Sequence, residues 1–408
     1  MPDGWAEMTL GEVAEVNPET TKGMSPQRRI RYIDLSAVSA DSGIEESAVI
    51  EYELHSAPGR ARRVVRHGDV LVSTVRPYLR GFAVVPEQLD GAVASTGFTV
   101  LRAREGLSLP GFVWSTVSKA DFADRLMERA TGSNYPAVRP NDIGEQVVLL
   151  PPLVVQRRVV DLVDAVDTLS SRYEAMRDAQ AALARALREA GLAGASHEVP
   201  LEDLIESIEA GKSPPAEDRQ PMAGEAAVLK VSAVRRGFFD ATQVKVIESR
   251  EVFPAHALVR DRDLLITRAN TRELVGLVCR VDDPPDDLYL CDKTLRLIPR
   301  REVVSGDYLL HALLAGGARQ QIENAATGTS GSMKNISQAS IRAIRLPVLD
   351  RDQQDLWVAG LEAARRLSRA SEVVIQRLAV FRAALLDQLL SGEREIPESY
   401  DELVGLAA

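Results

Sequence analysis

The sequence predicts an α+β chain: two tandem β-rich domains of one fold, each followed by a long helix, the helices pairing as an antiparallel coiled coil with pseudo-two-fold symmetry. Three observations predict it. Segments of the first half recur in the second at an offset of 191–197 residues. Each half opens on short β-branched runs punctuated by glycine and proline, and each closes on a long apolar stripe of helical period. A period this long means two whole domains, where a period of roughly 20–50 residues would mean a solenoid.

The copies align segment by segment. "TLGEVAEVNPETTKG" (9–23) corresponds to "PLEDLIESIEAGKSP" (200–214), and "YIDLSAVSADSG" (32–43) to "VLKVSAVRRGFF" (228–239). "HGDVLVSTVRPYLRGFAVV" (67–85) corresponds to "DRDLLITRANTRELVGLVCRV" (261–281), and "ASTGFTVLRARE" (94–105) to "CDKTLRLIPRRE" (291–302). Each copy then reaches an Ala-Thr-Gly loop, "ATGSNYPAVRPNDIGEQVVLLPPL" (130–153) and "ATGTSGSMKNISQASIRAIRLPVL" (326–349).

The elements follow in order. Runs such as "GDVLVSTV" and "RDLLITR" read as strands. Cys279 and Cys291 flank "RVDDPPDDLYL" and are expected to face each other across a hairpin as packed thiols. One helical segment follows in each copy, over 112–130 and 307–326, then the loop, a short aliphatic strand and Leu-Pro. The closing helices run near 154–190 and 352–391. Val155, Val159, Leu162, Val166, Leu169, Tyr173, Met176, Leu183 and Leu187 form the stripe of the first. Leu356, Leu361, Leu367, Val374, Leu378, Phe381, Leu385 and Leu389 form that of the second. Glycines in "AGLAGAS" and "SGERE" stop them. A helix of roughly 55 Å is too long to bury its stripe on its own small domain. Mutual pairing is therefore preferred to two helices docked independently. The expected division is a first β-rich domain (1–152), a spacer helix (153–195), a second β-rich domain (196–348), a second spacer helix (349–393) and a tail (394–408).

The composition, 45% hydrophobic and 26% charged, is that of an ordinary folded soluble protein. No apolar run approaches the roughly 18 residues of a membrane span. "MPDGWAEMTL" lacks the regions of a signal peptide, so a cytoplasmic location is expected. A net charge of −10 argues against a histone-like binder. Arginines nevertheless cluster at Arg60, Arg62, Arg63, Arg66, Arg76 and Arg80 around the single acid Asp69; the run Arg60–Arg66 reads as phosphate-facing if DNA binds, and otherwise as an exposed loop. No catalytic centre assembles. "EAGKS" (209–213) has Glu206 where a phosphate loop needs glycine, and "GTSGSMK" (328–334) has the wrong spacing. "NPE" (17–19) lacks the aromatic residue of a base-flipping methyltransferase loop, and His55, His67, His197, His256 and His311 lack metal-ligand spacing.

Two similar β-rich domains, each followed by an "ATG-S…LPPL"-type segment and a long helix, resemble the specificity subunit of type I restriction–modification systems over nearly the whole chain. The resemblance implies two target recognition domains, each reading half of a split double-stranded DNA site, on helices that set the spacing and bind the methyltransferase subunits. It implies a phage-defence complex with restriction/translocase subunits, and no cofactor on this chain. S-adenosylmethionine, ATP and Mg2+ belong to the partner subunits. In this family an acidic residue and glutamine commonly follow Leu-Pro-Pro-Leu. "LPPLVVQRR" and "LPVLDRDQQ" keep the glutamine as Gln156 and Gln353, and the first copy lacks the acid.

Candidate DNA contacts follow from side-chain chemistry. "STVRPYLRG" sets Arg76, Tyr78 and Arg80 in alternation after a strand, and alternate residues share a strand face. The other copy offers Arg268, Asn270 and Arg272. Arginine binds phosphate or pairs with guanine, and asparagine pairs with adenine. The loops add Ser133, Asn134 and Tyr135, then Thr329, Ser330, Ser332 and Lys334, as phosphate contacts. The bland alternatives are a solvated strand end and a plain tight turn. Two functional rivals remain: a methyltransferase or nuclease with its own recognition domain, and a scaffold of a related defence complex.

Overall fold

The computed structural model describes residues 2–40, 42–132, 134–330 and 333–403. The chain forms two compact units: Met1–Glu174 with Val373–Ala408, and Ala175–Glu372. Among the described residues no helix is long and apolar enough to cross a membrane.

In the first unit, Ala14–Val16, Phe98–Ala103, Val70–Ser73 and Phe82–Val84 form an antiparallel sheet in that order. A second sheet orders Ile50–Glu53, Arg29–Ile33, Val93–Ser95 and Ala61–Val64, with one parallel pair between Arg29–Ile33 and Val93–Ser95. Side chains alternate across a strand. Val70 and Val72 therefore face the helices, packing with Phe112, Val117, Phe122 and Leu126. Leu71 faces the other way, into a cluster with Ile33, Val85, Phe98 and Val100. Ala6–Thr9, at the start, pairs with Val147–Leu150, just before Leu-Pro-Pro-Leu.

The second unit repeats this plan. Ile205–Ala210, Thr294–Pro299, Leu264–Thr267 and Val278–Arg280 form the antiparallel sheet. Ala216–Glu217, Val244–Ile247, Ala227–Leu229 and Leu288–Tyr289 form the other, whose last pair is parallel. Leu264 and Ile266 face the helices, and Leu265 the opposite cluster. His197–Pro200 pairs with Arg345–Val348.

A buried ion pair recurs in the same place. Arg102 donates to both carboxylate oxygens of Asp69, at 2.9 and 2.8 Å, and also to Glu19. Arg296 donates to Asp263 at 2.6 Å and to Glu209. Each aspartate also accepts a turn N–H, from Arg66 or Arg260, at 2.8 Å.

Leu153–Leu192 and Arg351–Leu390 are helices of 40 residues each. They run antiparallel. In the first unit Arg382 donates to Asp167 at 3.0 Å. In the second, Arg177 donates to Glu372, Ser371 to Gln180, and Trp357 to the Leu187 carbonyl. Gly191 lies against Trp357, whose ring would stand 2.1 Å from an added Cβ. The apolar stripes are buried only in part. Val159, Leu361, Leu385 and Leu389 are buried, but Leu169, Met176, Leu183, Leu356, Leu367 and Phe381 are exposed. Tyr173, Val374 and Leu378, nearer the middle of the helices, are half-buried.

Four other expectations are corrected. Cys279 and Cys291 do not face each other: Val278–Arg280 pairs with Leu264–Thr267, Leu288–Tyr289 joins the other sheet, and the two free thiols lie in separate clusters. Each single helical segment is two helices, Pro110–Ser118 with Ala120–Arg129, and Gly306–Leu313 with Gly316–Ala325, broken at extended Lys119 and Ala315. The glutamine equivalent to Gln156 is Gln354, and both turn inward. Gln156 donates to the Leu107 and Pro151 carbonyls and accepts from Leu109, while Gln354 donates to the Val303 and Leu349 carbonyls. The run Arg60–Arg66 includes an edge strand, Ala61–Val64, not a loop, and Arg66 is neutralised by Glu19.

Candidate nucleic-acid interface

The strand that places the first candidate group is anchored at its end. Ser73 Oγ donates to the Val75 carbonyl and Thr74 Oγ1 to that of Gly97. The chain then makes a one-turn helix, Pro77–Leu79, bracketed by left-handed Arg76 (φ 49°) and Arg80 (φ 52°). Left-handed backbone at a non-glycine residue costs about 1–2 kcal/mol. Arg76, Tyr78 and Arg80 therefore do not share one strand face. Arg80 turns inward and donates to the carbonyls of Ser118 and Lys119, at 2.8 and 3.1 Å, where the helical segment breaks. Tyr78 and Leu79 stand out, 50% and 56% exposed.

The Ala-Thr-Gly loop folds against this turn. Val138 N–H donates to the Thr74 carbonyl, Arg76 N–H donates to Pro136 at 2.7 Å, and Ala137 bridges both Val75 and Thr131. The Arg76 guanidinium lies 4.4 Å over the Tyr135 ring. Its Nε is buried without a hydrogen-bond partner among the described residues. Two candidate groups separated by more than fifty residues thus become one surface. Asn134 is exposed in the loop, and Ser133 lies outside the described residues.

The second unit builds the same junction. Ile336 N–H donates to the Arg268 carbonyl. Thr327–Ser330 and Met333–Asn335 form a hairpin that adds Ala269–Asn270 as a third strand, with Asn270 opposite Lys334. Lys334 Nζ donates to the Gly328 carbonyl at 2.6 Å, and Asn270 Oδ1 accepts from Thr271 N–H. The Arg268 side chain is half-buried, Arg272 is exposed, Ser330 contributes backbone to the hairpin, and Ser332 lies outside the described residues. The tie to the helices is reversed: Arg319 donates from the helix to the carbonyls of Arg272, Glu273 and Val275.

The sequence reading missed one part of this surface. A groove of about 700 Å3 runs beside Asn270, and Ser232, Arg235, Arg236 and Arg319 help to line it. Arg236 is exposed and has no carboxylate at salt-bridge distance among the described residues. The signal was the Arg-Arg of "VSAVRRGFF", where the first copy has Ser39-Ala40.

The remaining sequence features have structural uses. Asn17 accepts from Val100 N–H and Glu19 pairs with Arg66 and Arg102. Gly211 of "EAGKS" passes so close to Leu290 that any Cβ would overlap its carbonyl. His311 is buried and donates through Nε2 to Glu362 at 3.1 Å, leaving Nδ1 without a hydrogen-bond partner among the described residues. Burial holds the His311 pKa below its ordinary value. Burial opposes the Glu362 charge, but the His311 hydrogen bond and the Arg280 and Arg365 charges outweigh it and hold the carboxyl at about 2. No group of three or more His, Cys, Asp or Glu among the described residues could hold a metal ion.

The twofold use of one β-rich plan and the antiparallel helix pair define a class. The fold is that of type I restriction–modification S subunits. A solved S subunit from M. genitalium matches with a TM-score of 0.53 and 13% identity over 96% of this chain and 97% of that one, a likeness of fold alone. A chain of the structure titled for complex assembly and conformational transition of the type I R-M system matches with a TM-score of 0.56 and 25% identity, over 96% of this chain and 98% of that one. Among curated proteins, the chain is similar to the type I restriction enzyme EcoEI specificity subunit of Escherichia coli, 30% identical over 149 residues, or 36% of this chain and 25% of the relative. The matched stretch thus spans about a quarter of that relative's length. No family model matches.

Proposed function

We propose that the chain is the DNA-recognition subunit of a type I restriction–modification complex. It carries no catalysis of its own. Residues 1–152 and 196–348 act as target recognition domains that each read one half of a bipartite duplex site, and the helices 153–195 and 349–393 set the spacing. The observation that carries this reading is the junction of strand end and Ala-Thr-Gly loop, built at the same place in both units with different side chains: Arg76 with Tyr135, and Asn270 with Lys334. Arginine suits guanine or phosphate, and asparagine suits adenine. The helices dock the methyltransferase subunits. The exposed Leu169, Met176, Leu183, Leu356, Leu367 and Phe381 support that role, because apolar side chains left in water on a helix suit a protein partner. Restriction/translocase subunits join through that assembly. S-adenosylmethionine, ATP and Mg2+ act on those partners.

Mapping methylated bases in a host genome carrying this chain and its partners tests the reading. The expected motif is two short, different blocks separated by bases of no consequence. Replacing residues 1–152 with the equivalent part of a relative is expected to change one block only. A single unbroken motif, or a replacement that alters both blocks, would reject it.

A further inference from the structure

We propose that the Pro77–Leu79 turn of the first unit is a wedge that enters duplex DNA at a base step of the first block, with Tyr78 and Leu79 stacking where a neighbouring base pair stood. The proposal rests on the DNA-reading function above and adds how one half-site is read.

The two side chains at the tip face solvent. Tyr78 and Leu79 belong to none of the core clusters, whereas Pro77 between Arg76 and Tyr78 is buried and anchors the turn. Tyr135, 67% exposed, joins them through Arg76 and extends the apolar edge. The turn is also held rigidly in an unfavourable shape. Left-handed Arg76 and Arg80 persist only if their surroundings over-determine them. Here Arg76 N–H is fixed by Pro136, Leu79 N–H by the Arg76 carbonyl, Arg80 N–H by the Pro77 carbonyl, and the Arg80 side chain by two helix-end carbonyls. A tip ordered before binding loses little entropy on insertion. Apolar side chains that enter between base steps kink and unstack the duplex. The cation beside the tip, Arg76, has the charge to meet a phosphate or a guanine edge, which favours DNA over an apolar protein surface as the occupant. The turn of the second unit lacks the aromatic tip and its left-handed brackets: Leu274 is 44% exposed there, but Asn270, Arg272 and Lys334 stand at the junction, and no residue from 268 to 275 is left-handed. The wedge therefore belongs to the first block alone. Pyrimidine–purine steps unstack most easily, so that block is expected to contain or border one.

The test uses the full chain with its partner subunits and a randomised duplex pool. Enriched duplexes are then made with 2-aminopurine at each position in turn, since its fluorescence rises when it is unstacked. Apart from the target base that each methyltransferase subunit flips out of the stack, brightening is expected at one step of the first block and at none of the second. The double variant Tyr78→Ala/Leu79→Ala is expected to abolish it and to weaken binding by about 10–100-fold. Tyr78→Phe/Leu79→Met keeps an apolar tip and is expected to retain both. Leu79→Ser alone, at a site already exposed, serves if the double variant melts early, and is expected to dim the signal. An enriched pool without that brightening, or brightening and affinity untouched by these variants, overturns the wedge and leaves the recognition function standing. A wild-type chain that enriches nothing overturns both.

Discussion

The two junctions differ in a consistent way. Beneath them the frame is the same: an arginine–aspartate pair, an inward glutamine, a strand whose alternate residues serve two cores, and a loop closed on the strand end. At the surface almost nothing is shared. The first unit presents Arg76 on Tyr135 with an apolar tip, the second a three-stranded ribbon with Asn270, Lys334 and an arginine-lined groove. Even the tie to the helices is made by opposite partners, Arg80 from the turn and Arg319 from the helix. Burial fixes what lies below, because an unpaired buried charge or carbonyl is costly in either unit. Nothing in the fold fixes the tips, and they are where two copies of one plan acquire two chemistries.

The frame is most easily broken at its buried ion pair. Arg296→Ala strands Asp263 and Glu209, and removing one partner of a buried pair costs about 3–5 kcal/mol. The Arg296 side chain is 3% exposed and that of Arg102 is 24%, so Arg102→Ala is expected to cost less. Hydrogen exchange read separately in each unit measures the difference, and equal losses would show that the pairs are not graded by burial. The glutamines come next. Gln156→Leu frees two carbonyls and one N–H, and Gln354→Leu two carbonyls, at about 1–3 kcal/mol for a stranded group. The first unit is expected to lose more in denaturant melts.

The frame was legible in the sequence because it follows from periodicity. Val70-Leu71-Val72 and Leu264-Leu265-Ile266 announce strands buried on both sides, and the constant offset announces one plan used twice. The junction was half legible: Arg76 and Tyr135 were chosen separately, and only the folded chain stacks them. The inward turn of Arg80 was not legible, because nothing in "VRPYLRG" signals two left-handed arginines or a guanidinium bonded to helix-end carbonyls. The same contact hid the break at Lys119, which no glycine or proline marks. Gln353 and Gln354 are neighbours, and only the register of the helix separates the exposed one from the buried one. The helix stripes were overread, since apolar spacing does not say which partner covers a face.

The surface difference can be sharpened directly. Arg76→Ala and Asn270→Ala are each expected to cost about 1–3 kcal/mol and to relax a single position, in different blocks of the site. Selection from randomised duplexes reads both. Uniform weakening of every sequence by Arg76→Ala would reassign it to phosphate, and would flatten the salt slope by about one unit.

The smallest contrast is in the response to acid. In the first unit Arg66, with Arg102, holds Glu19 at about 2, against a partial desolvation that raises it. In the second unit Glu362 is held at about the same value by His311, Arg280 and Arg365 despite its burial. A carboxyl whose folded pKa is depressed adds stability above its unfolded value, near 4.5. That stability falls away as the pH drops through about 2. Both units should therefore soften across this window. His311 adds a step that the first unit lacks. Its folded pKa lies below the ordinary 6.5, so the unfolded chain takes up a proton there before the folded unit does, and the second unit begins to lose stability already as the pH falls below 6.5. Hydrogen exchange near Trp357, compared with that near Phe98, is expected to rise first in the second unit between neutral pH and the carboxylate range. His311→Gln should remove that early step and leave the acid window in place. Parallel responses of the two units from neutral pH downward would contradict the assignment of a neutral, buried imidazole.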